Sequence, residues 1–93
     1  LVIVAHIRAR PGQEAFIRQE LEKIVPPTRA EEGCVQYDLH LDHEDPAHFM
    51  FYEIWETKPH WDAHQRTAHL AAMRDATADA RESITVHQMT RIA

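Results

Sequence analysis

The chain has 93 residues, 44% of them hydrophobic and 27% charged, with a net charge of -5. That length supports one domain, residues 1–93, with a thin core, because so short a chain buries only about 60–65% of the surface it exposes when unfolded. The acidic balance without any basic run excludes a nucleic-acid footprint, no run approaches the ~20 apolar residues of a membrane span, and the single cysteine, Cys34, predicts a reduced, cytoplasmic protein without disulfides.

In chain order, the opening Leu1-Val2-Ile3-Val4-Ala5 is too short for the core of a signal peptide and reads as strand. Residues 1–10 continue it, with polar side chains at His6, Arg8 and Arg10, until Pro11-Gly12 breaks it. From Gln13 onward, Phe16, Ile17, Leu21, Ile24 and Val25 fall on one helical face, opposite Arg18, Gln19, Glu22 and Lys23. Pro26-Pro27 interrupts that helix and permits one new turn through Thr28-Arg29-Ala30, which Gly33 ends. Residues 34–42 alternate, Val35, Tyr37, Leu39 and Leu41 against Cys34, Gln36, Asp38 and His40, the period of a half-buried strand. The turn Asp42–Pro46 leads into a strand at about 48–56. Thr57 can cap a short helix that accepts Pro59 in its first turn, and Thr67 stands where a second segment, Ala68 to about Arg81, can begin. Residues 84–92 return to strand. The order β-α-β-β-α-β predicts an α+β fold of the ferredoxin-like, split βαβ type with a four-stranded antiparallel sheet.

Along the third strand Phe49, Phe51 and Trp55 share one face, and Met50, Tyr52 and Ile54 share the other. Helices in so short a chain cover only one face, so the second apolar face calls for a partner, and a homodimer formed sheet to sheet is expected. Glu53 lies on the Phe51 and Trp55 face, where a charge is costly unless paired or lining a cavity. It either orients a histidine at a cavity or forms a buried ion pair, for which Arg8 is a candidate. Trp55 either stacks on a planar substrate and offers it the indole N–H, or fills core. His64 and His69 are the sharpest pair. On one continuous helix their spacing would set them about 140° apart, so a bend near Arg66-Thr67 is needed to bring both to one pocket. Histidine is the side chain best suited to exchange protons near neutral pH. His60 and His64, at i and i+4, make an incomplete metal set, and no metal is expected. His40, His43 and His48 read as solvated residues of the hairpin turn, and His6 as facing the dimer partner. Cys34 reads as packing, Arg29 and Arg91 as surface residues, and no loop is built to cradle a phosphate or flavin.

Several stretches together resemble the antibiotic biosynthesis monooxygenase superfamily, and within it the small quinol monooxygenase-like proteins. They are Ala5–Gln13, Glu32-Gly33-Cys34-Val35-Gln36-Tyr37, Phe49–Glu56, Trp61-Asp62-Ala63-His64 and His69. The resemblance implies a dimeric α/β barrel with a ligand cavity between sheet and helices in each subunit. It further implies cofactor-independent oxidation of a quinol or similar electron-rich aromatic by molecular oxygen, with His64 or His69 as base and Glu53 supporting it, and with Trp55, Tyr37 and Phe51 around the substrate. Haem-degrading relatives use an asparagine on the first strand, where this chain has Ile7, which turns the expectation away from haem. The alternatives are an isomerase or other proton-transfer enzyme for a small oxygenated metabolite, using the same His and Glu, and a non-catalytic module that binds an aromatic ligand.

Overall fold

A computed structural model describes residues 1–93. Its elements are β1 (Val2–Ala9), α1 (Glu14–Lys23), α2 (Val25–Arg29), β2 (Cys34–Leu41), β3 (His48–Trp55), α3 (Lys58–Gln65), α4 (Ala68–Thr77) and β4 (Arg81–Met89). The strands form one antiparallel sheet in the order β2-β3-β1-β4. This is the ferredoxin-like arrangement predicted from the order of elements.

Alternation builds the sheet's two faces. Ile3, Ala5, Ile7 and Ala9 of β1 and Phe49, Phe51, Glu53 and Trp55 of β3 are buried, while the residues between them are only half-buried. The buried set packs with Ile17, Leu21 and Ile24 around α1 and with Leu70 and Met73 of α4, so the helices cover one face and the core lies between. The outer face carries Val2, Val4, His6 and Arg8 beside His48, Met50, Tyr52 and Ile54, with His87 and Met89 of β4 alongside.

The helix breaks follow from local chemistry. Pro26 and Pro27 occupy the first positions of α2, where a missing N–H costs nothing, and the main helix stops at Ile24 because they cannot continue it. Thr57 caps α3 by accepting the His60 backbone N–H at 3.3 Å. Thr67 precedes α4 as expected, yet its hydroxyl donates backward to the His64 carbonyl at 2.8 Å, closing the end of α3 rather than opening α4.

Four expectations are corrected. β4 begins at Arg81 rather than 84, and α4 stops at Thr77 rather than near Arg81, because Arg81 pairs with Ala9 across a bulge in the sheet. The alternation of β2 slips between Cys34 and Gln36, which leaves Val35 60% exposed and turns Cys34 toward the core. Finally, Arg8 lies on the outer face and pairs with Asp45 at 2.7 Å, so it is not the partner of Glu53.

Candidate active site

The bend between α3 and α4 solves the problem posed by the spacing of His64 and His69. α3 ends at Gln65 and α4 starts at Ala68, so the two imidazoles belong to different helices and converge on one carboxylate. That carboxylate is Glu31. Its Oε2 accepts His64 Nδ1–H at 2.7 Å and His69 Nε2–H at 2.9 Å, and the Thr28 hydroxyl lies 3.3 Å from His69 Nε2. One oxygen thus gathers donors from α3 and α4 beside a hydroxyl from α2.

Glu31 is held there by the loop that follows α2. Its backbone N–H donates to the Thr28 carbonyl at 3.0 Å, and its own carbonyl accepts from Cys34 N–H at 3.2 Å. Gly33 makes the loop possible: its φ of +79° suits glycine, and a Cβ at that position would overlap the His60 ring. Neighbouring Glu32 faces outward, 93% exposed and 3.9 Å from His60 Nε2. His60 accordingly belongs with Thr57 and Glu32, not with His64 as a metal pair.

The carboxylate bond fixes the His64 tautomer. With Nδ1–H committed to Glu31, Nε2 carries the free lone pair. The ring is 2% exposed and sits between Trp55, at a centroid distance of 4.9 Å, and Tyr37, at 5.6 Å. Burial pushes its pKa below the usual 6.5, and Glu31 opposes that shift by favouring the charged form. His64 is therefore neutral at pH 7.

A small cavity of about 40 Å³ lies between the sheet and the α3–α4 pair. His64, Glu53, Tyr37 and Phe51 line it, together with Trp61, read from the sequence only as part of a motif, and Arg74, which the sequence did not single out. Burial raises the Glu53 carboxyl to about 7, against the opposing hydrogen bond from Trp55. Burial likewise pushes the Tyr37 hydroxyl far up, so it remains a neutral phenol.

The structure distributes the expected site residues unevenly. His64 and His69 come together, but the carboxylate between them is Glu31, whereas Glu53 accepts the Trp55 indole N–H at 2.9 Å. Trp55, expected to stack on substrate and offer its N–H, does not line the cavity; it is 1% exposed and its donor is already taken. His69 stands behind His64, next to Glu31 rather than at the cavity wall. Tyr37 and Phe51 do face the cavity, stacked at 4.7 Å. Cys34 is half-buried, and burial raises its thiol pKa, the reverse of what a nucleophile needs. The only group with metal-ligand spacing is Glu31, His64 and His69, whose ligand atoms lie within 4.8 Å of one another.

Comparison with known proteins gives one consistent result. The model of the family described as antibiotic biosynthesis monooxygenase matches residues 1–76. The Escherichia coli protein named "probable quinol monooxygenase YgiN" is 34% identical over 86 residues, covering 82% of this chain and 83% of that protein. The crystal structure of PA3566 from Pseudomonas aeruginosa superposes with a TM-score of 0.95 at 34% identity, over 99% of this chain and 93% of the other. An uncharacterized Synechocystis protein, sll1783, is 23% identical over 79 residues, and the match spans 85% of this chain and only 54% of that protein.

Proposed function

Because the chain belongs to the antibiotic biosynthesis monooxygenase family, we propose that it is a cofactor-independent monooxygenase that oxidises a quinol or another electron-rich aromatic with molecular oxygen. The observation that carries this reading is the 2.7 Å bond from His64 Nδ1–H to Glu31, which leaves a basic Nε2 at a cavity otherwise lined mainly by apolar side chains. A carboxylate behind an imidazole fixes its tautomer and supports the imidazolium that forms when it takes a proton. His69 braces the same oxygen from α4.

In the proposed reaction His64 Nε2 removes a hydroxyl proton, and the resulting anion is electron-rich enough to reduce oxygen directly. A quinol and O2 become a hydroxyquinone and water. One oxygen atom enters the ring, the other leaves as water with two hydrogens from the substrate, and the four electrons lost by the substrate reduce O2. Glu53, whose carboxyl burial raises to about 7 at the cavity, returns a proton to the departing oxygen in this scheme. Tyr37 and Phe51 supply the aromatic wall, with Trp55 behind them holding Glu53.

The cavity volume favours a second reading as well. About 40 Å³ is far below the ~300 Å³ at which ligand pockets usually begin, so an aromatic ring enters only if the α3–α4 side moves. A proton-transfer enzyme acting on a smaller oxygenated metabolite, through the same His64 and Glu53, needs less movement. A homodimer joined through the outer sheet faces is part of the proposal, supported by Val2, Val4, Met50, Tyr52 and Ile54 on a face no helix covers. The deciding experiment couples an oxygen electrode to product analysis on a panel of quinols. Oxygen uptake matched one to one by hydroxyquinone supports the monooxygenase, conversion without uptake selects the proton-transfer enzyme, and tight binding without conversion selects a binding module.

A further inference from the structure

The cavity beside His64 opens toward the junction of α3 and α4. Its residues Glu53 and His64 are buried, whereas Gln65 and Arg74 are half-buried and Val86 is 44% exposed. Arg74 stands on α4, and its Nη2–H donates to the Oε1 of Gln65, the last residue of α3. Arg8, Arg18 and Arg29 each meet a carboxylate, on Asp45, Glu22 and Asp38 respectively. Arg74 meets only the neutral amide of Gln65. The one arginine at the cavity therefore keeps its full positive charge, and most of its N–H donors remain for a ligand. That charge reaches His64, whose protonated form it disfavours.

We propose that Arg74 binds a carboxylate of the substrate, and that the substrate is an electron-rich aromatic carrying such a group rather than a neutral quinol. The inference rests on reading this cavity as the substrate site, and it narrows the class of molecule that enters. A planar guanidinium held at one nitrogen presents its remaining N–H groups as a fork that matches a carboxylate bidentately. A partly desolvated cation is costly without a counter-ion, and no carboxylate of the chain pairs with this one. A bound carboxylate supplies the missing charge at the open end, while Tyr37 and Phe51 offer the ring an aromatic wall. The same anion offsets the repulsion between Arg74 and a protonated His64, so the substrate's own charge favours the imidazolium that forms when the base takes a proton. Gln65 is the positioning residue. Its amide orients the guanidinium without neutralising it, as a glutamate there would do.

The test is calorimetric titration without oxygen, so that no turnover intervenes, comparing 2,5-dihydroxybenzoate with its methyl ester, the same quinol ring without the charge. The acid should bind about 10–100-fold more tightly, the usual worth of charge-assisted hydrogen bonds. Arg74→Gln should abolish that preference by weakening the acid and sparing the ester, and Gln65→Glu, which gives Arg74 a carboxylate of its own, should do the same. Arg74→Gln keeps the backbone carbonyl to which Arg81 donates, so the turn from α4 into β4 is retained. Arg66→Gln, at an exposed arginine outside the cavity, should leave the preference intact. In the unaltered chain the acid should raise the pKa of the His64 imidazole, read by ¹⁵N NMR, and the ester should not; this readout does not depend on any variant folding. Equal affinity for acid and ester, or a preference that survives Arg74→Gln, overturns the proposal. A defect in Arg74→Gln that is equal for acid and ester also overturns it, by assigning Arg74 to a ring oxygen. Because binding is read without oxygen, failure of the oxygen-uptake experiment would remove the monooxygenase reading and leave this one standing.

Discussion

Two groups of histidines flank opposite faces of one sheet, and what lies between their rings separates them. On the helix side a single carboxylate oxygen accepts from both His64 and His69. On the outer side His6 meets His48 nitrogen to nitrogen, and the carboxylate, Asp42, stands behind rather than between. A carboxylate between two imidazoles holds each as an N–H donor and stabilises an added proton. Two imidazoles facing each other discourage one: burial, then His48 and His87, lower the His6 pKa. The inner arrangement suits proton transfer, and the outer one does not.

The largest effect should come from breaking the inner group. His64→Ala is expected to reduce turnover about 10²–10⁴-fold, the usual worth of a positioned acid or base, with the fold intact by circular dichroism; the same change at His6 should leave turnover per folded chain unaltered. Glu31→Gln keeps an acceptor but loses the charge and should cost roughly 10–100-fold, by steady-state kinetics on the same substrate. Full activity in that variant would remove the distinction between the two groups.

Glu53 sharpens the contrast through stability. Its pKa is raised from 4.5 to about 7 by burial, so the folded chain holds that proton more tightly than the unfolded one. The associated stability is complete below 4.5 and is lost as pH rises through 7, a change of about 3 kcal/mol at full ionisation. Glu53→Gln should therefore gain on the unaltered chain between pH 5 and pH 8.5 in urea denaturation. A difference that does not vary with pH would show that Glu53 is not held protonated by its surroundings. On the outer face, Met50→Asp should shift sedimentation from twice the chain mass to the chain mass; a monomer before substitution removes the sheet-to-sheet dimer.

The fold was legible because its signals are local. Ile3, Ala5 and Ile7 alternate with half-buried neighbours among which polar side chains enter at His6 and Arg8, Ile17, Leu21 and Ile24 keep helical spacing, and Pro26-Pro27 and Gly33 mark breaks that no tertiary contact needed to impose. The errors came where pairing between strands outweighed propensity. The Ala-rich run after Thr77 favours helix on its own, yet Arg81 joins β4 opposite Ala9. The bend between His64 and His69 could be inferred from their spacing, but Glu31 could not be found. It lies in a loop without periodicity, beside a second glutamate that points outward, and only the turn at Gly33 distinguishes them. His48 was misread as a solvated turn residue because its contact with His6 spans 42 positions and depends on the register of β1 against β3.

The most direct test of the central claim is a ¹⁵N NMR titration of the His64 imidazole in the unaltered chain and in Glu31→Gln, since it reads tautomer and charge without requiring a substrate. Below its pKa a histidine is charged and cannot act as base, and burial lowers the His64 pKa from 6.5. His64 should appear at pH 7 as the neutral Nδ1–H tautomer with a bare Nε2 and should charge only below pH 6.5. In Glu31→Gln its pKa should fall further, because the carboxylate that favoured the charged form is gone. A His64 carrying its proton on Nε2, or a titration unchanged by the loss of Glu31, would contradict the account.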